Sequence, residues 1–267
     1  MIRTRSRNRR AARPLAGGFS LIELSVVVVV MALILGSILV PLTTQIGERR
    51  IVETRKLLAE IESALIGFAA ANGRLPCPAS ATSSGSESFA GGGSPSDGNC
   101  SNFFDGFLPA ATLGLDNVDN QGFALDAWGL AQNRIRYAVS NATVNAITNP
   151  FTRTDGMRSA GMSNISAATT LLYVCASGTG VTAANCGTAP TLASNAIAVI
   201  WSVGANAATG GTATDEAQNP NPNGGSADRI FVSKARSNTP GSEFDDEVTW
   251  AGPYSLFNRM IAAGRLP

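Results

Sequence analysis

The chain has 267 residues, 44% of them hydrophobic, and a formal net charge of +1, a length that allows one or two domains. Histidine is absent, which excludes Ser-His-Asp and Cys-His nucleophile systems and every His-containing zinc site. The charge is unevenly placed: Arg3, Arg5, Arg7, Arg9, Arg10 and Arg13 stand in residues 1–18 without an acid, and the rest of the chain carries 14 basic and 19 acidic residues. An Arg-rich end can be a nucleic-acid arm. Here it runs straight into an apolar segment of membrane length, which reads as topology instead.

That segment, Phe19 to Val40, holds 22 residues with Glu23 as its one charge. A helix rising about 1.5 Å per residue would then match a hydrocarbon core of about 30 Å. The preceding arginines place the N-terminus in the cytoplasm and everything after residue 42 outside it. A secretory signal peptide would have a shorter apolar core followed by a small-x-small cleavage site. In this chain Ala16-Gly17-Gly18 come before the run, and Pro41-Leu42-Thr43-Thr44-Gln45 follow it. A plain signal anchor accounts for length and orientation but not for Glu23. An acid at the centre of a membrane helix costs roughly 2.5–3.5 kcal/mol, less near an end, and usually has a partner and a function.

The stretch GGFSLIEL, residues 17–24, between a basic leader and an apolar helix, resembles the processing site of type IV prepilins and type II secretion pseudopilins. The resemblance implies cleavage by prepilin peptidase between Gly18 and Phe19 and methylation of the new N-terminal Phe19. Glu23 then holds the family's glutamate position, the fifth of the mature chain. Electrostatics agrees with that role. A new amine joins the partial positive charge of a helix N-terminus, and an unpaired ammonium and an unpaired carboxylate are each costly in low dielectric. When subunits stack, Glu23 of one meets the Phe19 amine of its neighbour, and the pair sets a register that non-directional aliphatic contacts do not.

Pro41 is expected to kink the helix near the membrane exit, with the helix continuing beyond it. Ile51, Leu58, Ile61, Leu65 and Phe68 make one helical stripe. The stripe reads as packing on a following sheet, since the run is short for a coiled coil. Asn72-Gly73 supplies a C-cap and Pro76 a stop. Residues 79–98 are Gly/Ser-rich and read as a loop. Strands are expected over 134–139, 171–175, 196–203, 229–232 and 247–250, and a short final helix over 256–263. The ending AAGRLP echoes AANGRLP at 70–76 as a similar helix stop.

The four cysteines, Cys77, Cys100, Cys175 and Cys186, form no C-x-x-C pair, which argues against redox and Cys₄ zinc sites. In an exported chain they read as two disulfides, against the alternative of four buried thiols. Three pairings are open, and proximity favours Cys77–Cys100 and Cys175–Cys186. No phosphate-binding loop is present, since GTGVTAANCG at 178–187 lacks the lysine.

Two further stretches resemble major pseudopilins. LDAWGLAQNRIRYAVS (125–140) is similar to a D-x-W-G turn leading into a strand, through Asp126, Trp128, Gly129, Arg134 and Tyr137. A turn that buries Trp128 is the plainer reading. WSVGANAATGG (201–211) and EFDDEVTW (243–250) resemble the segment that holds calcium in those proteins, which implies Asp245 and Asp246 as ligands, with Glu243 or backbone carbonyls. A solvated acidic turn capping a strand is the alternative. As neighbours in an extended strand the two aspartates would face opposite ways, a poor acid/base pair.

The expected fold is α+β and pilin-like: a long N-terminal hydrophobic helix packed on a C-terminal antiparallel β-sheet domain with long loops. The expected divisions are a cleaved leader (1–18), a transmembrane and assembly helix (19–42), its amphipathic continuation (43–75) and a β-rich extracytoplasmic domain (76–267). The resemblance implies a structural subunit of a type II secretion pseudopilus or type IV pilus-like filament, in a minor or tip position given its size, and no enzyme. Its implied partners are prepilin peptidase, other pilin or pseudopilin subunits, an inner-membrane assembly platform and the lipid bilayer. Nucleic acid would join them only in a DNA-uptake filament. The implied location is the bacterial inner membrane, single-pass, with the C-terminal domain periplasmic or extracellular. No cofactor is expected beyond calcium as the one candidate ion. The alternative is a membrane-anchored extracytoplasmic enzyme or binding protein, which would need a catalytic constellation in residues 73–267.

Overall fold

The run AIAVIWSV, residues 196–203, is apolar at every position but Ser202, the pattern of a strand buried on both faces. In the structure, a computed structural model, this run supplies the centre of the fold. Residue 18 and residues 20–267 are described, apart from the side chains of 37–43. The basic leader to residue 17 and Phe19, with the methylation expected there, lie outside the described residues. The chain divides into two compact units at Glu48/Arg49.

Helix α1 spans Leu21–Asn72. In its part belonging to the first unit, Leu21, Ile22, Leu24, Val26–Met31 and Leu33–Leu35 are all exposed. Among the described residues no helix is long and apolar enough to cross a membrane. This overturns the expected transmembrane segment and, with it, the single-pass inner-membrane location.

The second unit begins with the rest of α1. Ile51, Leu58, Ile61 and Leu65 are buried as expected, with Thr54 and Ala69 completing the seam. Phe68 is displaced from it: Ala69 holds the buried position, and the Arg74 guanidinium lies over the Phe68 ring, 5.4 Å from the ring centre. The helix stops where Gly73, at φ +72°, donates its N–H to Ala69 O at 2.8 Å.

Strands β1 (Gly106–Phe107), β2 (Arg136–Val139), β7 (Ala198–Ser202) and β9 (Glu247–Ala251) form an antiparallel sheet in the order β1-β2-β7-β9. Its two faces divide the core by the period-two rule. Tyr137, Val139, Ala198 and Ile200 pack with Leu58, Ile61, Leu65 and Ala69 of α1. Ala138, Val199 and Trp201 pack with Leu172, Val174 and Phe231 of a second sheet. That sheet joins β5 (Leu172–Cys175), β6 (Thr191–Ala196) and β8 (Ile230–Val232) in the order β6-β5-β8. The second unit is therefore three layers: helix, sheet, sheet. A hairpin of β3 (Thr143–Val144) and β4 (Ile147–Thr148) and short helices α2 (Ala110–Leu113), α3 (Gly156–Ala160) and α4 (Met162–Ser166) lie outside this frame. Helix α5 (Pro253–Ala262) starts on its proline and ends the chain's regular structure.

The expected fold class needs correction beyond the apolar helix. The fold is α+β with a sheet domain, but that domain is not all antiparallel: β5 and β8 pair in parallel through Tyr173↔Ile230, Val174↔Phe231 and Cys175↔Val232. Parallel neighbours need a long crossover, and residues 176–229 supply it. The disulfides are Cys77–Cys100 and Cys175–Cys186. The Gly/Ser-rich loop is organised around Glu87, which takes two 2.7 Å hydrogen bonds from Arg74 and one from Cys77 N.

Candidate functional site

Two places carry the residues singled out in the sequence. The first is the start of α1. Glu23 N donates to Ser20 Oγ at 3.2 Å and Leu24 N to Ser20 O at 3.1 Å. Ser20 is therefore the N-cap and Glu23 the third helical residue, the S-x-x-E spacing of a capping box. That signal stands in the sequence and locates Glu23 in the first turn, where the helix dipole favours an acid. Gly18 is exposed, and a Cβ there would meet nothing within 4 Å. Glu23 and its apolar neighbours on α1 are exposed too.

The second place is built by three loops at the β9 end of the central sheet. Asp245 and Asp246 lie just before β9, not in it, so strand alternation does not separate them. Carboxylate oxygens of Glu216, Asp245 and Asp246 all lie within 4.8 Å of one another, and all three residues are buried. This corrects two expectations at once: the aspartates do not face opposite ways, and the turn is not solvated. Glu243 is half-buried and lines a hollow of about 240 Å³ beside Glu216, with Asn206 and Gly211.

Glu216, which the sequence reading passed over, is the organiser. Its Oε1 accepts from Asn206 Nδ2 at 2.9 Å and Asp245 N at 3.0 Å, and its Oε2 from Gly211 N at 2.9 Å. Asp245 Oδ2 accepts from Asn206 N at 3.0 Å, and Asp246 Oδ2 from Asn219 Nδ2 at 2.8 Å. Asp245 Oδ1 is buried with no hydrogen-bond partner. Gly204, at φ +67°, presses against this carboxylate so closely that a Cβ would sit 2.4 Å from Oδ1. Burial first, and then the Glu216 charge, push Asp245 up to about 6. Burial, with the charges of Glu216 and Asp245 adding to it, holds Asp246 well above the carboxylate range. Three carboxylates this close in low dielectric need protons or a cation.

The D-x-W-G turn braces this place. Asp126 Oδ1 accepts from Trp128 N at 2.9 Å, and its Oδ2 accepts from Asn133 Nδ2 and Ser202 Oγ. Asn133 also donates to Gly204 O, and Gly204 N to Ser202 Oγ. The turn that receives Asp245 is thus tied to Asp126. Trp128 is only half-buried; Asp126 is the buried residue of the motif. Tyr137 lies in the core, its hydroxyl donating to Pro76 O, and Arg134 pairs with Asp119 while covering the Phe123 ring at 4.3 Å.

No protein family, curated protein or solved structure matches this chain.

Proposed function

We propose that the chain is a structural subunit, matured by prepilin peptidase between Gly18 and Phe19 and assembled head-to-tail into a filament of the type II secretion pseudopilus or type IV pilus kind. One observation supports this reading above the others: α1 carries apolar side chains exposed all round over 21–36, with Leu21 88% and Leu33 69% exposed, and Glu23 as the one acid among them. An apolar stripe serves one partner; a helix apolar on every side needs burial on every side. Stacked neighbours supply that burial, and Glu23, the one directional group, sets their register against the neighbouring Phe19 amine. The test is Glu23→Ala. The variant is expected to be cleaved at the normal rate and to stay out of filaments collected by sedimentation and seen by electron microscopy. Normal incorporation would refute the register role.

The acidic centre is proposed to hold one cation of the calcium kind between Asp245, Asp246 and Glu216, with backbone carbonyls completing six to eight oxygens. The buried, unpartnered Asp245 Oδ1 supports it. Calcium at a hundredfold over its Kd would stabilise the fold by about 2.7 kcal/mol and raise Tm by about 5–10 °C. Asp245→Asn should erase that shift, and a wild-type Tm indifferent to calcium and to chelator would dismiss the ion.

A further inference from the structure

Helix α5 lies beside the last turns of α1, where the Arg265 guanidinium donates to Ala70 O and Ala71 O. Between the two helices runs a groove of about 480 Å³, lined by Ser63, Ile66, Gly67, Ala70, Arg259 and the pair Ala262–Ala263. Its lining is mostly small and apolar, which lets another helix approach closely. A Cβ on Gly67 would meet nothing within 4 Å, so the space above it is open. Arg259 is the one charge on the groove, it is exposed, and among the described residues its guanidinium makes no hydrogen bond or ion pair. An occupant of matching chemistry is apolar along its length and brings one carboxylate.

We propose that the groove seats residues 21–36 of a second copy, with that copy's Glu23 facing Arg259. The inference rests on the filament reading. The 21–36 helix is exposed and apolar, and the Glu23 carboxylate has no partner among the described residues. A carboxylate has lone pairs for more than one donor, so Glu23 can meet Arg259 of one copy and the Phe19 amine of another. Copies joined head-to-tail all point the same way. The docked helix then runs along α1 in the same sense, and Val27, one turn past Glu23, comes to Ala263, one turn past Arg259.

All four native cysteines are in disulfides, so introduced thiols report alone. Two tagged full-length chains, one Val27→Cys and one Ala263→Cys, are co-expressed with a prepilin peptidase and mildly oxidised after assembly. The expected product is a covalent heterodimer carrying both tags. Gly67→Leu in the Ala263→Cys chain fills the groove, and Arg259→Glu brings like charges together. Each is expected to lower the heterodimer yield about tenfold, with circular dichroism unchanged. Failure of processed, assembled chains to cross-link overturns the groove and leaves the filament reading standing. Undiminished cross-linking with Gly67→Leu overturns it as well. Cross-linking by chains that are never processed keeps the groove and removes the maturation reading.

Discussion

Glu23 and Asp245 are carboxylates in opposite surroundings, one exposed in a first helical turn and one buried. Glu23 occupies the N3 position of a capped helix, so the isolated chain already tolerates it; in the proposed filament its directional use would come with a neighbour's positive charge. Asp245 is tolerated through its proton. Its folded-state pKa, about 6, stands above the ordinary 3.8, so the folded chain holds a proton that the unfolded chain releases. The stability this confers is complete below the ordinary value and is lost as pH rises through about 6. Buried Asp126 and half-buried Asp105 and Asp228 shift in the same direction, so the measurement is a difference. Without calcium, wild type should lose Tm between pH 4 and pH 7 relative to Asp245→Asn, and calcium should restore it at pH 7. Parallel pH profiles of the two proteins would contradict the assignment. The aspartates were legible in the sequence as an adjacent acidic pair. Glu216 was not: it sits in a Gly/Asn/Pro-rich stretch with no periodic pattern, and it is held beside them by hydrogen bonds from Asn206, Gly211 N and Asp245 N.

At the scale of elements, the stripe of α1 could be read because one-sided burial imposes a period on a helix, and the expected strands because they are short, mostly buried runs between turn residues. Strand β7 reads as continuous because both its faces are covered. β6 escaped notice because most of its residues are exposed or half-buried, leaving no apolar pattern. The parallel β5–β8 pair escaped for a different reason: alternation within a strand says nothing of its neighbour's direction. Ile61 lies at 0% exposure on α1 while Val52 is 64% exposed. Chemical denaturation should therefore find Ile61→Ala destabilised by about 2–5 kcal/mol and Val52→Ala by about 0.5 kcal/mol or less. Similar losses at both positions would mean that α1 does not pack on the sheet through this stripe. Asp126→Ala removes the acceptor of Ser202 and Asn133. It should weaken the calcium-dependent Tm shift without touching any carboxylate of the centre; an unchanged shift would separate the D-x-W-G turn from the acidic centre.

Over the whole molecule, a disulfide-stapled, three-layer unit is joined in sequence to an apolar helix that the chain itself leaves exposed. The globular unit can satisfy itself; the helix cannot. In the proposed filament the helix would be buried among copies, and maturation at Gly18 would create the amine that pairs with Glu23. The proposed maturation depends on that cut. The most direct measurement is the mature N-terminus, by mass spectrometry and N-terminal sequencing, after co-expression with a prepilin peptidase. N-methyl-Phe19 as the first residue is the predicted result; a chain left intact, or cut after residue 42, would contradict it.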